Sequence, residues 1–299
     1  MSSQKPLSYQ SSQSVIKNLN SGIRSQLYET CKSLRSIDKQ FPLKINNLQL
    51  KSFVIILDGV SYYRPSRKPW KVKKSLIKEF LMNRTELIRV NLLTVDLKSV
   101  NKDFWIKFGL KMKIRMLKII RKNMLKVLDC LKTVIEESSY PLKQIEFSDV
   151  PYHDIMTHPK VLKAKKLVTP EAVETPMIYV INHRRFHCAH IHSADFKYFD
   201  NFMYAWIAYE RKIGTHLSFN MESERCGKKL MKHFKVTHER HFCKDRSDPS
   251  RKRIFFSTII KGFVEISIYR RSGVIGNQGT FTKFPTLHFK VQKTKRNVG

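Results

Sequence analysis

The sequence predicts an α+β fold in which a short N-terminal helical segment is followed by a mixed α/β layer that ends in an antiparallel β meander. Three observations carry this. Apolar residues recur at steps of three and four between Val15 and Ile37, the period of a helix face. From Leu87 to Met221, apolar strand-like segments alternate with helix-like ones, which is the order of an α/β unit. After residue 250 the pattern becomes IFFSTII, FVEISIYR and TLHFKV, three alternating runs separated by Gly262 and by the stretch Gly273 to Gly279, as in an antiparallel meander. Two parts are expected, residues 1–50 as a helical segment and residues 51–299 as an α/β partner-binding domain.

Composition bounds what such a chain does. Its 299 residues are 41% apolar and 11% aromatic, enough for a sizeable core and unlike a disordered chain. No run reaches the ~18 apolar residues of a membrane helix, and the opening MSSQKPLSYQSSQS lacks the apolar stretch of a secretory signal. The five cysteines, Cys31, Cys130, Cys188, Cys226 and Cys243, are odd in number and scattered, which argues against a disulfide framework and for reduced thiols in cytosol or nucleus. The net charge of +33 implies attraction to polyanions. That excess is divided nearly evenly between the two halves of the chain, whereas a dedicated nucleic-acid module concentrates it on one face.

Val15, Ile16, Leu19, Ile23, Leu27, Cys31, Leu34 and Ile37 form the apolar stripe of the first segment. Asn18, Asn20, Ser21 and Gly22 interrupt it with capping and turn chemistry, so two or three short helices are expected. The same pattern also suits the first helical layer of a globular domain. Next, FPLKINNLQLKSFVIIL (Phe41 to Leu57) alternates and gathers β-branched residues, as a half-buried strand pair does. The two prolines of SYYRPSRKPWKVKK (Ser61 to Lys74) predict a loop or linker.

Five strands are expected next, at Leu87 to Leu97, Lys113 to Ile120, Leu142 to Val150, Pro176 to Ile181 and Thr215 to Met221. The helix-like stretches between them are Met124 to Ser138, His158 to Leu167 and Ser193 to Lys212, the last opening with Ser193 and Asp195 in its N-terminal turn. Strand spacing of roughly 25 to 40 residues is the scale of an α/β unit or a degenerate leucine-rich repeat, although the leucine and asparagine consensus of such repeats is missing. A further helix is expected from Lys228 to Phe234, and the tail QKTKRNVG is polar and basic.

Candidate chemistry is sparse. His183, His187, Cys188, His190 and His192 form the densest set of potential metal ligands, and Cys226, His233, His238, His241 and Cys243 a second. Neither has the paired spacing of a zinc site, so the ordinary reading, solvent-facing or loop histidines, is preferred and no metal or other cofactor is expected. No phosphate-cradling Gly-rich loop, GxSxG elbow or GxGxxG turn is present. Glu136 and Glu137 are adjacent and point apart, and Glu222 and Glu224 suit a helix start. A non-enzymatic protein without catalytic residues is expected. Nucleic-acid binding is the alternative, because Arg64, Arg67, Lys68, Lys71, Lys73 and Lys74 surround Tyr62, Tyr63 and Trp70, and aromatics among cations stack on bases while the cations meet phosphates.

The opening KPLSYQSSQSVIKNLNSGIRSQLYETCKSLRSIDKQFPLKINNLQL resembles the first block of the nematode F-box C proteins. SSYPLKQIEF (Ser138 to Phe147), HPKVLKAKKLVT (His158 to Thr169) and WIAYERKIGTHLSF (Trp206 to Phe219) are also similar to that family, in order along the chain. The resemblance implies an F-box-like N-terminus followed by a nematode-restricted domain of unknown function. An F-box docks through a helical apolar surface onto the Skp-type adaptor of a cullin ubiquitin ligase. Carried over, the resemblance makes Leu7, Tyr9, Val15, Ile16, Leu19, Ile23 and Leu27 the adaptor contacts. An ordinary F-box opens Leu-Pro with an acid soon after; here Pro6 precedes Leu7 and the first acid is Glu29. The expected partners are therefore a Skp-type adaptor and an unidentified target protein, with nonspecific polyanion binding and no membrane.

Overall fold

A computed structural model of the chain describes residues 8–51, 54–63, 81, 84, 86–96, 110–120, 124–149, 151, 153–172, 188–194, 213–220, 224–237, 242–243, 253–257, 262–274 and 281–293. The chain divides into two compact units, Met1–Lys143 and Gln144–Gly299. Helices and a mixed sheet make it α+β, as its sequence pattern indicates.

The first unit opens with three short helices, α1 (Tyr9–Asn18), α2 (Ser21–Thr30) and α3 (Leu34–Lys39). Local chemistry sets their bounds. The Ser8 hydroxyl accepts from the Ser11 N–H at 3.1 Å to cap α1, and the Asn20 side-chain Oδ1 accepts from the Ile23 N–H at 2.9 Å to cap α2. Between them Leu19 and Asn20 are extended, which breaks what would otherwise be one helix.

Strands β1 (Lys44–Lys51), β2 (Val54–Leu57) and β3 (Val60–Tyr63) follow, each antiparallel to the next. β2 and β3 are joined by Asp58 (φ 48°) and Gly59 (φ 90°). Both residues are left-handed, the two-residue turn whose twist suits a hairpin and which Asp-Gly adopts at least cost. β1 is also parallel to β4 (Ile88–Asp96), which is parallel to β5 (Met112–Ile119). The strand order in this unit is β5-β4-β1-β2-β3. Helix α4 (Met124–Leu131) buries Met124, Val127, Leu128 and Leu131, and the chain then returns to β5, with Ile135 bridged to Met112. The core is built from matching rows: Leu48, Leu93 and Leu117, then Leu50, Val95 and Ile119, each at most 1% exposed. Fully burying each such side chain stabilises by about 1.5–3 kcal/mol.

In the second unit β6 (Gln144–Phe147), β7 (Lys166–Ala172), β8 (Cys188–Ala194) and β9 (His216–Asn220) run parallel. Their first residues fall at intervals in the twenties, the range of a leucine-rich repeat. Between β6 and β7 lie the single turns of helix α5 (His153–Met156) and α6 (Pro159–Leu162). After β9 come α7 (Glu224–Thr237) and then β10 (Phe242–Cys243), β11 (Arg253–Ser257), β12 (Gly262–Val274) and β13 (Phe281–Lys293), consecutively antiparallel. β13 lies antiparallel to β9 and so joins the meander to the parallel strands. Leu167, Leu217 and Phe289 are fully buried along one row of register, and Phe219 meets Phe289 edge to face at 5.7 Å.

Several sequence expectations are corrected. Ser61 to Tyr63, read as part of a loop, belong to β3, because the prolines that signalled irregular backbone start only at Pro65. The helix expected from His158 to Leu167 ends at Leu162, and Lys166 already starts β7. Ser193 lies in β8 and not in a helical turn. The strand expected at Pro176 to Ile181, the rest of the helix expected to Lys212, and residues 64–74 lie outside the described residues.

Candidate functional site

Helix α2 turns an unusual face inward. Its buried residues are Ser21, Gly22, Arg24, Ser25 and Tyr28, a set that is mostly small or polar, while Ile23 is 42% exposed and Leu27 half-buried. The small residues explain the choice. At Gly22 an added Cβ would stand 3.1 Å from Val60 Cγ2, so the helix backbone lies tightly on the β2–β3 hairpin. Ser21 donates to the Asp58 carboxylate at the hairpin turn, whose other oxygen accepts from the Asn47 N–H at 2.7 Å. The Ser25 hydroxyl donates back to the Ser21 carbonyl at 2.8 Å. With its hydroxyls satisfied inside, the helix keeps its branched aliphatic residue outside.

Beneath α2 is a buried ionic cluster. Arg24 reaches Asp38 of α3 through Nε at 2.6 Å and donates from Nη1 to the Pro42 carbonyl at 2.9 Å. Arg84, just before β4, reaches the second Asp38 oxygen through Nη2 at 2.6 Å and the Asp38 carbonyl through Nη1 at 3.1 Å. All three side chains are 5% exposed. Burial pulls the Arg84 guanidinium below the usual arginine value, against the opposing pull of the Asp38 charge. The cluster fastens α2 and α3 to the segment leading into β4. Sequence reasoning missed it, since its members are far apart in the chain and no motif marks them.

The residues named as adaptor contacts divide into four groups. Tyr9, Val15 and Ile23 are exposed, and Leu19 and Leu27 are half-buried. Tyr9 also donates its hydroxyl to Gln40 Oε1 at 3.1 Å, which ties the start of α1 to the end of α3. Ile16 is 3% exposed and is corrected to a core residue, because it lies on the buried side of α1. Leu7 lies outside the described residues. Near this surface, the Cys31 thiol is held below its ordinary pKa by a hydrogen bond with the Ser33 hydroxyl and then by the Leu34 backbone.

Other candidate chemistry is placed elsewhere or used internally. Tyr62, one of the aromatics proposed for base stacking, is 4% exposed and its hydroxyl points to the Gly22 carbonyl, so its ring belongs to the core. His190, read as a solvent-facing or loop histidine, is corrected to a buried strand residue, with Nδ1 2.7 Å from the Ser218 hydroxyl on the neighbouring strand. Among the described residues no three His, Cys, Asp or Glu side chains converge as metal ligands, and no helix is long and apolar enough to cross a membrane. His183, His187, His238 and His241 lie outside the described residues.

No curated protein and no solved structure matches the chain. A family profile does, over residues 68–223, a span that includes Arg84 and β4 through β9 and leaves α1–α3 outside it. Since that match covers more than half of the sequence, the chain belongs to the family described as Domain of unknown function (DUF3557).

Proposed function

We propose that this protein is a non-enzymatic interaction protein, an F-box-type substrate receptor of the nematode F-box C kind that links a target protein to a Skp–cullin ubiquitin ligase. In this reading α1 and α2 recruit the Skp-type adaptor through Tyr9, Val15, Leu19, Ile23 and Leu27, and the domain behind them presents the target. Catalysis is then geometric: holding target and ligase on one chain raises their effective concentration, and no residue of the receptor takes part in the chemistry.

The observation that carries the proposal is the orientation of α2. A helix with Ile23 and Leu27 one turn apart would gain stability by burying both, yet it leaves Ile23 exposed and Leu27 half-buried while Ser21, Gly22, Arg24, Ser25 and Tyr28 turn inward. Leaving apolar side chains outward forgoes burial energy, which is what a surface reserved for a second protein does.

The test is co-purification with a Skp-type adaptor. Wild-type protein should retain the adaptor, and Leu19→Asp, Ile23→Asp or Leu27→Asp should lose it while keeping the wild-type circular dichroism spectrum. Failure of the wild-type chain to bind any adaptor of this type would remove the reading.

A further inference from the structure

The parallel strands of the first unit carry a cationic grid. Lys44 of β1 pairs with Arg89 of β4, and Arg89 pairs with Lys113 of β5. Residues opposite one another in a sheet point to the same side, so three cations stand in one row at the ~4.8 Å spacing of neighbouring strands. Two residues on, the same face carries Asn46, Asn91 and Arg115. All six are exposed. The following row, Leu48, Leu93 and Leu117, is buried, so the grid has a definite edge where the covered part of the face begins.

This arrangement works against stability. Like charges directly opposite on neighbouring strands repel, and among the described residues none of Lys44, Arg89, Lys113 or Arg115 forms an ion pair. Among the described residues nothing rewards a cation at all three positions of one row. An external anion would.

We propose that this grid is a docking surface for an acidic, extended segment of a partner protein. Acids at alternate positions of an extended peptide fall ~6.6 Å apart on one side, which is also the separation of Lys113 and Arg115 along β5. Guanidiniums take carboxylates through paired hydrogen bonds. The amides of Asn46 and Asn91 supply both donors and acceptors for a peptide backbone. Nucleic acid is the poorer fit, because none of the six positions is aromatic and bases would find nothing to stack on. The inference deepens the receptor reading by giving the target its chemistry, but the grid binds or fails to bind independently of any adaptor.

The probe is a fluorescein-labelled peptide of alternating Glu and Ser, followed by fluorescence anisotropy on the full-length chain at physiological salt. The double variant Arg89→Glu with Lys113→Glu should weaken binding about tenfold or more, the scale expected for losing close charge pairs. Lys163→Glu with Lys165→Glu makes the same change in net charge at exposed positions of the other unit, and should stay within about twofold of wild type. Arg89→Gln with Lys113→Gln removes the charge more gently and should weaken binding as well, should the charge reversal not fold. Equal losses in both Glu variants, no binding by wild type, or tighter binding of an oligothymidine of equal charge through the same two residues would each overturn the proposal. Adaptor retention is measured on the same preparations: a chain that holds the peptide through Arg89 and Lys113 but never the adaptor keeps this inference and loses the receptor.

Discussion

Arg24 grips Asp38 twice, through Nε to the carboxylate at 2.6 Å and through Nη2 to the Asp38 carbonyl at 3.0 Å. Because Arg84 takes the other carboxylate oxygen, two buried guanidiniums share one acid. Asp38→Ala is therefore expected to destabilise the first unit by about 3–5 kcal/mol, since it strands charge in the interior. Asp38→Asn keeps some of the hydrogen bonds and should cost less. Urea unfolding followed by circular dichroism measures both. A change below about 1 kcal/mol for the alanine variant would show that the cluster is not holding the helices.

Ile16 and Ile23 form a matched pair of opposite placement. Ile16→Ala empties a buried site and should cost about 2–5 kcal/mol, whereas Ile23→Ala at an exposed position should stay within about 0.5 kcal/mol. Thermal unfolding of the two variants side by side reads the difference. Comparable losses would mean that Ile23 is enclosed.

Gly22→Ala presses a methyl group to 3.1 Å from Val60 Cγ2. The closely packed hairpin should resist, at a cost of about 1–3 kcal/mol that outweighs the better helix propensity of alanine. Adding Val60→Ala makes room, so the double variant should recover part of that loss. A double-mutant cycle on unfolding free energies detects the coupling, and simple additivity would argue against contact.

Tyr140 is pushed up to about 12, first by burial and then by the nearby Glu137 charge. Its folded-state value lies above the ordinary one of 10.0, so its contribution to stability is complete below pH 10 and is lost as pH rises through the folded value. Ultraviolet titration of phenolate absorbance should show late ionisation, to which Tyr62 also contributes because burial raises it, and Tyr140→Phe should remove one phenolate from that late phase. A late phase undiminished by the substitution belongs to other residues.

The fold was legible where a strand announces itself by alternation. Ile88 to Asn91 and Met112 to Arg115 alternate buried apolar residues with exposed polar ones, and His216 to Asn220 comes shortly after Gly214. β7 was hidden because Lys165, Lys166 and Pro170 look like the end of a helix and a turn, although they flank and interrupt a strand. In α2 the period located the apolar side but not its direction, which depends on the hairpin that Gly22 and Ser21 meet. For Arg24, Asp38 and Arg84, pairing is a product of tertiary folding and leaves no local trace. The row Lys44, Arg89 and Lys113 is similarly invisible in the sequence, since it exists only once the register of three strands is known.

The strand pairing bears on where this protein is cut. Residues 68–223 exclude β1, which hydrogen-bonds along the flank of β4, and they exclude β13, which does the same for β9. A fragment trimmed to those limits would lay bare the backbone amides and carbonyls on one side of β4 and one side of β9, and such raw borders invite chains to stick to each other. Family likeness and folding thus draw different frontiers on this polypeptide: the stretch that matches the family is an interior slice whose two neighbours must travel with it.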